Sequence, residues 1–218
     1  MTRLVRFDGT NVSFFPPGVA ESLLAGGMAI FPTDTLYGLG VDPRSPAGLA
    51  RLVAAKGREG GKPIPLLLDE SGRVDSYAAE VSGAAARLME RFWPGALTIV
   101  FPAHSSLPSA VTGGGGMVGL RVPDHPVPRA LARSLGGAVT GTSANRAGNP
   151  GIWREAEEIV REFTGEVDWV LWDGPLPGTA VGPAEAASTV VRVEEGRVIL
   201  LRDGAIPFRA VTEHLSRG

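Results

Sequence analysis

The side chains in this 218-residue chain that can grip an anion stand at the ends of apolar runs. Ala29-Ile30-Phe31 leads into Pro32-Thr33-Asp34-Thr35-Leu36-Tyr37-Gly38, and Ala138-Val139-Thr140 opens into Gly141-Thr142-Ser143-Ala144-Asn145. A helical stretch runs into Lys56-Gly57-Arg58, with Lys62 four residues further on. Arg121 lies inside the apolar run Val118 to Val122, and Arg202 closes Val198 to Leu201. In α/β proteins ligands bind beyond the carboxyl ends of strands, where hydroxyls, backbone amides and cations make a seat for a polyanion.

A cation inside an apolar strand must find an anion or carry a heavy desolvation cost. Arginine's planar fork suits a carboxylate or phosphate, whereas lysine acts as a point charge. Each group also has a plainer reading. Lys56 to Lys62 read equally as solvated charges at a helix end, Arg121 and Arg202 as members of structural ion pairs, and Asp34 as the cap of its turn. Ser143 and Asn145 can present a hydroxyl and an amide to phosphate or ribose, or form an ordinary turn bonded to itself.

Several common chemistries lack their patterns here. There is no Gly-x-x-x-x-Gly-Lys-Ser/Thr phosphate loop, no Gly-x-Gly-x-x-Gly after the first strand, and no Gly-x-Ser-x-Gly elbow. His104, His125 and His214 are far apart and show no metal-ligand spacing. The absence of cysteine removes disulfides, thiolate zinc sites and thiol nucleophiles. With 21 basic against 23 acidic residues, the chain lacks the basic excess of a surface that coats nucleic acid, which leaves at most weak tRNA contact. No signal-like apolar segment opens it and no run approaches the ~20 residues that span a bilayer, so it reads as a soluble cytoplasmic protein without membrane partners.

The elements that must position these residues alternate along the chain. Short apolar runs at Met28–Phe31, Ile64–Leu68, Leu97–Phe101, Val118–Val122, Ala138–Thr140 and Trp169–Trp172 predict buried strands. Ser188–Val193 and Arg197–Leu201 flank Glu194-Glu195-Gly196, a hairpin signature. Ser45-Pro46 marks a helix start ahead of Leu49, Leu52 and Val53. Ser82 caps a helix carrying Ala85, Leu88, Met89 and Phe92, which Trp93-Pro94-Gly95 stops. Further helices are predicted over about Val127–Leu135, Glu155–Phe163 and Arg209–Leu215. The mixed order predicts a single α/β domain over 1–218 with one twisted, mixed sheet flanked by helices. Gly113 to Gly116 is permissive backbone, and Asp173 to Ala187 is a long Gly/Pro/Ala-rich connection that suits a lid or a plain surface loop.

Taken in order, seven segments resemble the YrdC-like family over roughly residues 12–204. They are Phe31 to Leu39, Lys56-Gly57-Arg58 with Lys62-Pro63, Trp93 to Thr98, Leu120 to Pro123, Thr142 to Asn145, Ala187 to Val190 and Leu201 to Gly204. The resemblance implies an open, twisted α/β fold with a large electropositive cavity. It implies a nucleotidyl-transfer reaction in which ATP, bicarbonate and L-threonine give threonylcarbamoyl-adenylate and pyrophosphate, with Mg2+ accompanying ATP. A separate threonylcarbamoyl transferase complex would then act on tRNA. By resemblance, Thr35, Arg121 and Ser188 serve threonine. Lys56, Arg58 and Lys62 hold the triphosphate, Lys56 and Arg58 being the catalytic cations. Ser143 and Asn145 bind nucleotide phosphate or ribose, Arg202 approaches the nucleotide, Tyr37 lines the cavity, and the 173–187 loop covers it.

The chain departs from the family pattern in places. Asp34 stands where the family often has Glu, and Glu59 where it has Pro. Lys62 stands where some members have Asn, and Leu67 lies near the place of a family His. The further C-terminal domain of longer members is not expected. Two other readings remain: a related carbamoyl-adenylate-forming carbamoyltransferase, and a non-catalytic RNA-binding protein of the same fold.

Overall fold

Strands buried along their whole length must be covered on both faces, and Ala29–Phe31, Leu66–Leu68, Ala138–Thr140 and Trp169–Trp172 are all of this kind. The computed structural model describes residues 1–7, 16, 18–57, 61–146, 149, 151–176 and 186–216. Its strands form two mixed sheets. The five-stranded sheet runs β1 (Arg3–Arg6), β9 (Trp169–Trp172), β2 (Ala29–Phe31), β3 (Gly38–Gly40), β8 (Thr142–Ser143). The six-stranded sheet runs β11 (Arg197–Arg202), β10 (Thr189–Glu194), β5 (Leu97–Pro102), β6 (Met117–Arg121), β4 (Leu66–Leu68), β7 (Ala138–Thr140).

The single sheet expected from sequence is therefore corrected to two, and Gly141 is the reason. Strand β7 pairs with β4, yet the residues just past Gly141 pair with β3 in the other sheet. An added Cβ at Gly141 would lie 2.5 Å from Leu67 Cγ, so only glycine lets the chain pass between the sheets at this point. The sheets also touch at Gly40, where a Cβ would lie 2.3 Å from the Thr140 carbonyl oxygen.

Helices α1 (Val19–Leu24), α2 (Pro46–Ala55), α3 (Gly83–Phe92), α4 (Ser109–Thr112), α5 (Pro126–Ser134), α6 (Ala156–Glu162) and α7 (Phe208–Ser216) cover the sheets, with a 3-10 turn at Ser71–Ser76. The capping signals act as read. Ser45 Oγ accepts from Gly48 N at 3.1 Å with Pro46 at the first helical position, and Ser82 Oγ accepts from Ala85 N at 3.2 Å. Helix α5 is capped by His125, whose Nδ1 accepts from Val127 N at 3.2 Å. The β10–β11 hairpin turns through Glu195 and Gly196 at φ 49° and 75°, the backbone twist of a two-residue hairpin loop. Sequence reading missed β1, β3, β8, α1 and α4, all short. Among the described residues no helix is long and apolar enough to cross a membrane.

Candidate active site

Sheet register builds the site. Leu67 on β4 lies opposite Arg121 on β6, and Ile99 on β5 lies opposite Leu120, which sets Thr98 beside Arg121. Side chains at matched positions share a face. That face, the turn after β2 and the Gly141 crossing enclose a cavity of about 460 Å³, within the usual range for small-molecule sites. Thr33, Thr35 and Tyr37 line it from the β2 turn, Ser143 and Asn145 from the crossing, and Ser188 and Arg202 from the β10–β11 side. Among the described residues its lining includes two cations, Arg121 and Arg202, and no carboxylate.

Arg121 is 4 % exposed, and each of its three guanidinium nitrogens donates one hydrogen bond to a neighbour, which leaves further N–H donors for a ligand. Nε donates to the Gly95 carbonyl at 2.8 Å, Nη1 to Thr35 Oγ1 at 3.0 Å, and Nη2 to Asp34 Oδ1. Burial pulls its pKa below the ordinary arginine value; the Asp34 carboxylate opposes this and Arg202 adds to it. Asp34 is thus the counter-ion of Arg121, and the side chain that bonds the turn is Thr33, whose Oγ1 accepts from Thr35 N at 3.1 Å and donates to the Leu36 carbonyl at 2.6 Å. Asp34 does not line the cavity. Sequence gave no signal for this pair, because the partners are 87 residues apart.

Thr98 is given no role in the sequence reading. Its hydroxyl shares a 2.9 Å hydrogen bond with Ser188 Oγ, to which Arg202 Nη2 donates at 2.8 Å. Arg202 also donates through Nε and Nη2 to the Ser188 carbonyl at 3.0 and 2.7 Å. Among the described residues no carboxylate pairs with Arg202, and partial burial lowers its pKa. A cation so placed at a cavity wall is available to an incoming anion.

Lys56 reaches the turn that carries Ser143 and Asn145. It is half-buried and does not line the cavity; its ammonium donates to the Ser143 carbonyl and to Asn145 Oδ1, each at 2.9 Å, and to the Asn145 carbonyl. Ser143 Oγ donates to Asn145 Oδ1 at 2.6 Å, and Asn145 Nδ2 donates to the Asn149 carbonyl at 2.7 Å. Lys56 therefore braces the turn that presents Ser143 and Asn145. Lys62 is exposed and off the lining, although Pro63 and Pro65 line the cavity. Glycine 113 (φ 63°) lets this segment approach, since a Cβ there would lie 2.5 Å from the Gly61 carbonyl oxygen. Arg58 and Glu59 fall outside the described residues, as does 177–185 of the 173–187 loop.

Tyr37 reaches the root of that loop. It stacks on Trp172 with centroids 5.1 Å apart, and its hydroxyl donates to the Gly174 carbonyl at 2.7 Å and accepts from Asp173 N at 3.0 Å. Burial drives its pKa well up, so the phenol stays neutral. Among the described residues no three acidic, histidine or cysteine side chains gather to hold a metal. Among the described residues the cavity wall is rich in hydroxyls and holds no carboxylate, so it would take Mg2+ only together with an anionic ligand.

A family model described as telomere recombination, Sua5/YciO/YrdC, matches residues 21–204. A threonylcarbamoyl-AMP synthase of Thiobacillus denitrificans is 37% identical over 183 residues, covering 84% of this chain and 93% of that protein. One of Bacillus subtilis is 33% identical over 81% of this chain but only 49% of its own length, so the chain spans about half of that longer relative. Among solved structures, Pyrococcus abyssi Sua5 complexed with L-threonine superposes with a TM-score of 0.87 at 27% identity, covering 98% of this chain and 61% of that one. Escherichia coli YciO shares the fold, at 22% identity and a TM-score of 0.79.

Proposed function

The chain belongs to the Sua5/YciO/YrdC family, and from that membership we infer that it is a threonylcarbamoyl-AMP synthase. It converts ATP, bicarbonate and L-threonine to threonylcarbamoyl-adenylate and pyrophosphate, a nucleotidyl transfer that serves tRNA modification. The observation that carries this reading is the near full-length match to relatives of that name, combined with one cavity that joins the Arg121–Thr35 group to the Ser143–Asn145 turn.

We propose that threonine's carboxylate meets Arg121, with Thr35 and Ser188 beside it, and that ATP lies toward Ser143, Asn145 and Arg202. Arg58 and Lys62 would reach the triphosphate, and Lys56 would act on it through the turn it braces. Mg2+ accompanying ATP would supply charge neutralisation for the phosphates. The threonine amine, as the free base, attacks the carbon of bicarbonate with loss of water, or of carbon dioxide with loss of a proton, to give a carbamate. A carbamate oxygen then attacks the α-phosphorus, and pyrophosphate leaves. Both reactants are anions that repel in water. Holding them together and neutralising their charge is the protein's main task, worth several kcal/mol by proximity and preorganised dipoles.

Hand-over to a separate transferase complex, and any brief tRNA contact, remain part of this proposal. The test is pyrophosphate release from ATP and Mg2+ with bicarbonate, with and without L-threonine. Release that needs both, with a threonylcarbamoyl-adenylate mass in the products, is the expected result. Release driven by carbamoyl phosphate in place of threonine would move the chain to carbamoyl-transferring chemistry.

A further inference from the structure

His125 does not line the cavity, yet it closes a ring of contacts around the amino-acid half of the site. It follows Arg121 by four residues, through Val122-Pro123-Asp124, and caps α5 with Nδ1. Because Nδ1 accepts the Val127 N–H, the ring proton resides on Nε2, which lies 3.4 Å from Asp173 Oδ2. Asp173 in turn donates its backbone N–H to Tyr37 Oη. Tyr37 ends the Thr33–Tyr37 turn, whose Asp34 and Thr35 hold the Arg121 guanidinium. The ring thus runs from Arg121 along the chain to His125, across to Asp173 and Tyr37, and back through the turn to Arg121. His125 and Asp173 are largely enclosed, each with 13% of its side chain exposed.

We propose that His125, as the neutral Nε2–H tautomer, is a positioning residue for the threonine seat. It fixes Asp173, and through Tyr37 the turn that aims Arg121. Protonation would put a hydrogen on Nδ1 against the Val127 N–H and break the cap. Three carboxylates face the imidazole and favour its protonation: Asp173 after β9, Asp34 after β2, and Asp124 on its own segment. Burial outweighs them and keeps its pKa below the ordinary histidine value. The seat is therefore ordered at neutral pH and loosens under acid.

The inference rests on the synthase reading above. Its experiment compares wild type, His125→Asn and Asp173→Asn in the pyrophosphate assay from pH 5 to 8, alongside an NMR titration of the His125 ring. Asparagine keeps an N-cap acceptor but is too short to reach Asp173, so His125→Asn holds the helix while cutting the ring. Expected is a threonine KM about ten-fold higher with the ATP KM unchanged, the size of one lost hydrogen bond. In wild type, protonation of His125 should add a fall in kcat/KM for threonine under acid beyond that caused by the substrates' own protonation, and this added fall should be absent in the variant. In Asp173→Asn the His125 ring should titrate at lower pH than in wild type, because a stabilising carboxylate is gone.

A folded His125→Asn enzyme with wild-type threonine KM and the same fall under acid as wild type would reduce His125 to a helix cap and overturn the proposal. So would a ring titration unmoved by Asp173→Asn. Wild-type protein with no threonine-dependent turnover would instead overturn the synthase reading, and the ring titration would still judge the contact itself.

Discussion

Removing the ammonium of Lys56 while keeping its length, as in Lys56→Met, separates two ways of helping ATP. The ammonium donates to the Ser143 carbonyl, the Asn145 carbonyl and Asn145 Oδ1. A hydrogen bond to a charged group contributes about 1.5–3 kcal/mol. Lys56 is half-buried, so water can take up part of the loss and the three bonds will not simply add. A total of about 2–3 kcal/mol is expected, which corresponds to a rise of about 30- to 150-fold in the KM for ATP. Because the effect travels through the turn, Asn145→Ala should cost a similar amount. The double variant should then be little worse than either single one, since residues in one network are not additive. The assay is ATP-dependent pyrophosphate release at saturating threonine, with the four ATP KM values compared as a cycle. Additive losses, about 10³-fold or more in the double variant, would mean that Lys56 touches the phosphates independently and would refute the bracing argument. An unchanged ATP KM in Lys56→Met would dismiss a role for it in nucleotide binding altogether.

Other expected outcomes are equally concrete. Arg121→Lys cannot reach Gly95, Thr35 and Asp34 together, so it should raise the threonine KM at least 100-fold while calorimetry finds ATP binding nearly intact. Urea unfolding of Arg121→Met should show a loss of about 3–5 kcal/mol, because Asp34 keeps a poorly solvated charge without its partner, and adding Asp34→Asn should recover part of it. Gly40→Ala should cost more stability than Gly141→Ala. The first meets the Thr140 backbone oxygen, the second the Leu67 side chain, which can be relieved by Leu67→Ala; thermal melts of the three variants give the order. His125 also ties stability to pH, since burial lowers its folded pKa below the unfolded value near 6.5. The unfolded chain therefore binds the extra proton first. This contribution is full above pH 6.5 and declines as pH falls toward the folded value, so the stability gap between wild type and His125→Asn should narrow between pH 7 and pH 5.

Much of the architecture is local and was legible in the chain. Buried apolar runs gave most of the strands, Ser45-Pro46 and Ser82 gave two helix starts, and Glu194-Glu195-Gly196 gave the hairpin. Most of the candidate residues were also visible, because a cation or hydroxyl at the mouth of an apolar run is conspicuous. The short elements were not, since two to six residues carry too little periodicity to separate strand from helix.

What the sequence by itself determined is which residue types meet the solvent-side ends of its strands, and hence that an anion-binding α/β enzyme was the reading to test. Tertiary structure decided what those residues do. It split the strands into two sheets at Gly141, gave Arg121 to Asp34 across 87 residues, set Lys56 under Asn145 across 89, and joined Tyr37 to Asp173 across 136. Such partners are chosen by strand register and by the closeness of backbones at glycines, and a slip of one residue would turn each side chain to the opposite face. Propensity and spacing act over a few residues and hold no record of that register; it exists only once both sheets have packed.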